Sequence, residues 1–229
     1  MDIQLVSRPD CPATQELLRN ISIAMNALGV CSDALLLPDG GPPSPCPHLL
    51  VDGSPVFSCF PKKEGTPCPI CGAVPDIPDT EIIRWHLARA LGRKTVLFIC
   101  SGNAVRSQMA EAIVNHALGE KWAAFSCGIM PMQLWKPVIQ ALQEIGIDAN
   151  GKKAKHIDLF LGCRFDLIIS LCSDADGFCT AFPGEGVREH IPFEDPMTST
   201  FFGIGDVART RKLCDEMRKK IILHLERHP

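Results

Sequence analysis

The chain has 229 residues, 46% of them hydrophobic and 21% charged, with a formal net charge of -3. That is a soluble globular composition, long enough for two domains of about 100 residues each. The charge gives no electrostatic footprint for nucleic acid or an anionic bilayer, and no apolar run approaches the ~20 residues of a membrane span. Met1 to Cys11 carries no signal-peptide pattern, so a cytoplasmic location is expected. Twelve cysteines are many for a reducing compartment, where thiols are more often catalytic, redox-active or metal-binding than cross-linked. Cys31, Cys163 and Cys214 read more simply as small buried hydrophobes.

In chain order, "DIQLVSRPDCPATQELLRNISIAMNALG" reads as a strand, a turn with Cys11 and a helix, and "DALLL" as a second strand. "CPHLLVDGSPVF" reads as a strand, a turn and a strand. The stretch from Pro38 to Pro78 is loop-rich, and 13 of the 19 prolines precede residue 95. A helix from Asp79 to Leu91, capped by Asp79 or Thr80 and closed by Gly92, ends this first unit. The expected boundary therefore separates residues 1–93 from 94–229.

Beyond it, Thr95–Ile99 is a short β-rich run read as a buried strand. Ser107–Leu118 has Ala110, Ile113, Val114, Ala117 and Leu118 on one helical face and stops at Gly119. "AAFS" is a candidate strand, "KPVIQALQEIG" a helix with Pro137 near its start, and Phe165–Leu171 a continuous apolar strand. "VREHIPF" is a weaker strand, and Asp206–Arg227 a long closing helix. Strands apolar on both faces, alternating with helices, predict a parallel sheet covered on both sides.

The chemistry gathers at strand ends. Cys100 closes the first of these strands, a tight loop follows, and Arg106 and Ser107 open a helix. A helix start leaves unpaired N–H groups and a partial positive charge, and loop amides add to it. Gly102 allows backbone shapes that a side chain forbids, and Arg106 adds a fork of donors suited to a tetrahedral oxyanion. Cys100, at the base of this nest, is expected as a thiolate nucleophile against the bound anion. Cys172 follows the strand ending at Leu171 just as Cys100 follows its own, so a parallel sheet opens both onto one crevice. Asp195 follows the next strand and could protonate a leaving oxygen there. Cys172 and Cys179 lie in the polar stretch "LCSDADGFC", where a small disulfide loop can close.

These residues carry a resemblance. From Lys94 onward, on "FICSGNAVRSQMAEA", "GIDANGKKAKHIDLF", "LCSDADGFC" and "FEDP", the chain resembles thioredoxin-coupled arsenate reductases, built on the low-molecular-weight protein tyrosine phosphatase fold. The resemblance implies a four-stranded parallel sheet with helices on both faces. It also implies that Ser101, Gly102, Asn103, Ala104, Val105, Arg106 and Ser107 bind arsenate, and that Cys100 attacks arsenic while Asp195 protonates the departing oxygen. Cys172 would then attack Cys100, and Cys179 would attack Cys172. Thioredoxin or a glutaredoxin-type reductant would reduce the final disulfide, with no resident cofactor required. Asn103 and Ser107 would hold the loop.

Val105 stands where such reductases often carry a further cysteine. Some relatives bind potassium through positions resembling Asn103, Glu111 and Ser126 with an acidic residue, and the matching fourth position here is Lys155. Its ammonium is expected to substitute for the cation.

The first unit resembles a thioredoxin or glutaredoxin fold, with Cys11 at the helix start and Pro47 at the usual cis-proline position. It departs from the redox pattern, because Thr14 sits where a second cysteine would. Cys68 and Cys71 form one C-x2-C pair, open to a redox or arsenic-thiol role, to half of a zinc site with Cys59 or Cys46, or to no function. Such a unit could serve the relay as a fused reductant or docking module. Two other readings of the whole remain. One is a low-molecular-weight phosphatase, which has no use for Cys172 or Cys179 and often flanks its acid with tyrosines, absent here. The other is a thiol-based arsenite- or metal-binding protein without turnover.

Overall fold

The computed structural model describes residues 2–7, 12–30, 35–38, 48–58, 77–172, 182, 184–197 and 206–228. The chain divides into two compact units, Met1–Gly92 and Arg93–Pro229.

The first unit runs β1 (Ile3–Ser7), α1 (Pro12–Ala27), β2 (Leu35–Pro38), β3 (His48–Val51), β4 (Ser54–Ser58) and α2 (Thr80–Ala90). Its sheet has the order β2-β1-β3-β4, with β2 parallel to β1 and the remaining pairs antiparallel. The alternation in β1 buries Ile3 and Leu5 beside Leu17 and Ile21 of α1, Leu49 of β3, and Ile83 and Leu87 of α2. Asp52 and Gly53, both at positive φ (49° and 76°), make the two-residue turn between β3 and β4, the backbone that an Asp-Gly pair favours in a hairpin. Asp79 caps α2, its side chain accepting from the Glu81 amide at 2.8 Å. The elements follow one another as strand, helix, strand, strand, strand and helix, and the unit is a small α/β fold.

The second unit runs β5 (Lys94–Cys100), α3 (Arg106–Ala117), β6 (Trp122–Gly128), α4 (Lys136–Glu144), a short 3-10 helix (Ile157–Phe160), β7 (Leu167–Ser170), β8 (Val187–His190) and α5 (Asp206–Glu226). Its sheet is four-stranded and wholly parallel, in the order β6-β5-β7-β8. Every residue of β6 is buried, Ser126 included, as expected of a strand covered on both faces. Phe125, Phe160 and Phe165 meet edge-to-face with centroids 5.7–5.9 Å apart, each pair adding about 0.5–1.5 kcal/mol beyond its buried area. At the start of the sheet the Asp166 carboxylate accepts from Thr95 N at 2.7 Å and Thr95 Oγ1 at 2.9 Å, fixing the register of β7 on β5. From β5 the chain crosses to β6 on one side, and β7 joins on the other. The C-terminal end of β5 is therefore the switch point of the sheet, where parallel α/β folds open a crevice. Among the described residues no helix is long and apolar enough to cross a membrane.

Candidate active site

Cys100 is the last residue of β5 and is buried, and the loop after it leads directly into α3 at Arg106. The loop is shaped by what holds its carbonyls. Ser101 O accepts from the amides of Ile129 and Met130 (both 2.9 Å), Gly102 O from Met132 N (2.8 Å) and Ala104 O from Trp135 N (3.2 Å). In a trans peptide the carbonyl points opposite to the next N–H. Outward carbonyls at these positions therefore turn the amides of Gly102, Asn103 and Val105 inward. Val105 provides no side-chain cap to α3, so the helix's first donors also stay available. The result is a ring of N–H groups at a helix start, a preformed anion nest.

Arg106 completes it. The side chain is 7% exposed; its Nη2 donates to Asp195 Oδ2 at 2.7 Å and its Nη1 to the Phe193 carbonyl at 3.4 Å. Its buried Nε has no hydrogen-bond partner among the described residues. A buried guanidinium N–H left without an acceptor is costly, and an oxyanion in the loop would supply one. Asp195 meanwhile accepts from Met197 N through Oδ1 at 2.9 Å. Through Oδ2 the Asp195 carboxylate thus engages Nη2 of the arginine fork, the kind of charge-assisted bond that a guanidinium also makes to a phosphate-like anion.

Behind the loop runs a polarised chain of side chains. Lys155 N donates to Asn103 Oδ1 at 2.7 Å, and because a backbone N–H can only donate, this orients the Asn103 amide. Asn103 Nδ2 then donates to Ser107 Oγ (2.8 Å) and Ser126 Oγ (2.9 Å). Ser107 Oγ, having accepted there, keeps its own proton for Cys100 Sγ, 2.9 Å away. Ser126 in turn donates to Glu111, which is 2% exposed and also receives Lys155 Nζ at 2.8 Å and Lys152 Nζ at 2.9 Å. Asn103 sits at φ 46°, a left-handed conformation that asparagine tolerates better than most residues. Gln108 ties Asn103 Oδ1 to the Lys153 carbonyl (3.0 and 2.8 Å).

The structure therefore brings Cys100, Arg106, Ser107, Asn103 and Asp195 together, with Ser101, Gly102, Ala104 and Val105 forming the loop between them. Cys172, buried two residues beyond β7, holds its Sγ 3.3 Å from Ser101 Oγ. Lys155 lies with its Nζ against Glu111. Cys179 lies outside the described residues, as do Cys11, Cys68 and Cys71. Cys163 and Cys214 are buried; burial and then the neighbouring Asp215 push the Cys214 thiol up to about 11.

Sequence reasoning missed Gly128 and Lys152. A Cβ on Gly128 would stand 2.6 Å from Asn103 N and 2.9 Å from both Asn103 Cβ and Ser101 O. The signal available was a glycine ending an apolar strand, which often marks a close backbone approach. For Lys152 no such signal exists in the sequence.

A loop of inward amides around a buried cysteine at the head of a parallel strand is the site of a known class. Residues 95–193 match the family described as low molecular weight phosphotyrosine protein phosphatase. The chain belongs to that family. Its relatives include Arsenate reductase 2 of Staphylococcus haemolyticus, 40% identical over 106 residues, covering 46% of this chain and 81% of that protein. Arsenate reductase 2 of Staphylococcus saprophyticus is 35% identical over 131 residues, covering 57% of this chain and 95% of that one. A solved structure of an arsenate reductase in the reduced state aligns with a TM-score of 0.48 at 25% identity, covering 59% of this chain and 99% of the other. The family match falls wholly within the second unit.

Proposed function

We propose that the chain is an arsenate reductase that draws its two electrons from thiols. The observation that carries this reading is the second buried thiol, Cys172, standing on the loop's own Ser101 at 3.3 Å. A hydrolase acting through Cys100 alone would need no such group. The curated relatives named arsenate reductase support the same substrate.

In this mechanism arsenate enters the loop, takes up the inward amides and the orphaned Arg106 Nε, and displaces Asp195 from the guanidinium. Released from the guanidinium, Asp195 takes a proton from the incoming hydrogen arsenate or from solvent; Cys100 Sγ attacks arsenic(V), and one arsenate oxygen leaves as water with that proton. Ser107 O–H stabilises the Cys100 thiolate before attack. Cys172 then attacks Cys100 Sγ. The S–As bond breaks with its electron pair going to arsenic, so arsenite(III) departs and a Cys100–Cys172 disulfide forms. Cys179 attacks Cys172, freeing Cys100 and moving the disulfide to Cys172–Cys179, where thioredoxin or a similar dithiol reduces it. Glu111, held by two ammonium groups, anchors Ser126 and Asn103 beneath the loop without a bound alkali cation.

The test is NADPH oxidation by the full chain with thioredoxin and thioredoxin reductase, with and without arsenate. The expected result is arsenate-dependent oxidation that disappears in Cys172→Ser. Hydrolysis of an aryl phosphate that persists in Cys172→Ser, with no arsenate-dependent oxidation in either protein, would move the reading to a phosphatase.

A further inference from the structure

Away from the anion loop, three metal-ligating side chains converge where the edge strand β8 meets the end of α5. Glu189 lies on β8, His224 in the last turn of α5, and His228 four residues further along. His224 Nε2 is 2.5 Å from Glu189 Oε2, His228 Nε2 is 3.3 Å from Glu189 Oε1, and the two Nε2 atoms are 3.2 Å apart. All three side chains are partly exposed, so an ion could reach them from solvent.

The proton count makes this cluster informative. A neutral imidazole carries a single N–H. If both Nε2 atoms donate to Glu189, two N–H groups face each other across 3.2 Å. If one ring instead accepts from the other, it has no proton for the carboxylate. With Glu189 ionised, no placement of the ring protons satisfies all three contacts at once. A divalent cation removes the conflict, because it takes a lone pair from each atom while the ring protons sit on Nδ1; the 2.5 Å contact of His224 with Glu189 would open to about 3.3 Å around it. Two nitrogens bonded at about 2.0–2.1 Å to one tetrahedral ion stand about 3.3 Å apart, close to the separation seen here. The C-terminal end of a helix also favours a cation. The charged group that faces the cluster from β5 is Lys94, whose Nζ is turned to the His228 carbonyl at 3.5 Å rather than to the ring nitrogens.

We propose that Glu189, His224 and His228 form a binding site for a zinc-class divalent metal, with two imidazole nitrogens, one carboxylate oxygen and the remaining position filled by water. The ion would clamp the end of α5 to β8. That strand leads through Phe193, whose carbonyl receives Arg106, to Asp195, so the clamp braces the segment carrying the acid without touching the anion loop.

The test is equilibrium dialysis of the reduced full chain against buffered zinc at neutral pH, comparing the natural sequence with His224→Asn, His228→Asn and Glu189→Gln. Each histidine variant is expected to hold one zinc fewer per chain, and Glu189→Gln to weaken that zinc at least about tenfold, the scale on which even outer-shell changes act. Because a variant can lose its fold, the unaltered protein is also followed by imidazole proton NMR. Zinc is expected to shift the His224 and His228 ring signals. Equal zinc in all four proteins, with both ring signals unmoved by zinc, would overturn the site and assign any bound zinc to the cysteines.

Discussion

Replacing Gly128 with alanine adds a single methyl group to the back of the anion loop. That methyl would stand 2.6 Å from Asn103 N, and its other close neighbours are also loop atoms, Asn103 Cβ and Ser101 O at 2.9 Å. Two of these three atoms are backbone, so no flexible side chain can give way. Reaching ordinary contact requires the loop or the end of β6 to move by about 0.8 Å, and overpacking of this kind costs roughly 1–3 kcal/mol. A displacement of about 1 Å in a positioned nucleophile and its donors costs on the order of 100-fold in rate. Gly128→Ala should therefore lower the single-turnover rate of arsenate reduction by about that factor and weaken phosphate binding, while the protein still melts cooperatively. Stopped-flow mixing with arsenate and calorimetric titration with phosphate read the two effects separately. A variant whose rate and phosphate affinity both stay within about twofold of the natural protein, well under the 100-fold expected, would refute the claim that the loop is held rigidly against β6.

Four further outcomes follow from the structure. Arg106→Lys replaces a buried fork by a point charge that cannot reach both Asp195 and a loop-bound oxyanion; turnover should fall about 100- to 1,000-fold by initial-rate measurement. Potassium and sodium at equal ionic strength should support equal rates, because the Lys155 and Lys152 ammoniums already hold Glu111. Lys155→Met should cost about 2 kcal/mol in denaturant unfolding and make the rate respond to potassium. The Cys214 thiol, pushed up from 9.0 to about 11 by burial and by Asp215, keeps its proton in the folded state after the unfolded chain has lost it. Its contribution to stability is fully present below pH 9.0 and is lost as pH rises to about 11, amounting to about 3 kcal/mol. Cys214→Ala should flatten that part of the alkaline unfolding profile.

Local pattern carried most of the second unit. β5, α3, β6 and α4 each announce themselves by an unbroken apolar run or a helical face, and the resulting parallel sheet puts Cys100 and Cys172 at one edge. The register Ile99↔Ser170 makes this concrete: counted onward, it sets Cys100 level with Leu171 and Ser101 level with Cys172. Contacts that depend on long-range packing were less legible. Asp195 could be placed in the crevice, but not on Arg106, because four residues of irregular chain separate it from β8. Lys152 falls beside Glu111 only because the segment from Gly146 to Lys155 folds back beneath the loop. The His224–His228 spacing is visible in the sequence, yet Glu189 joins it only once α5 lies against β8. In the first unit the hairpin turn was written in Asp52 and Gly53, while the candidate cysteines there lie outside the described residues.

The central claim is that one loop-bound oxyanion is reduced by Cys100 together with a thiol delivered from the end of β7. The most direct measurement is a single turnover of fully reduced protein with arsenate and no external reductant, followed by acid quench, thiol alkylation and peptide mass mapping. The account predicts one arsenite released per chain, with Cys172 protected from alkylation inside a disulfide whose partner is Cys100 or Cys179. Cys172 alkylated in full while arsenite is still released stoichiometrically would contradict it.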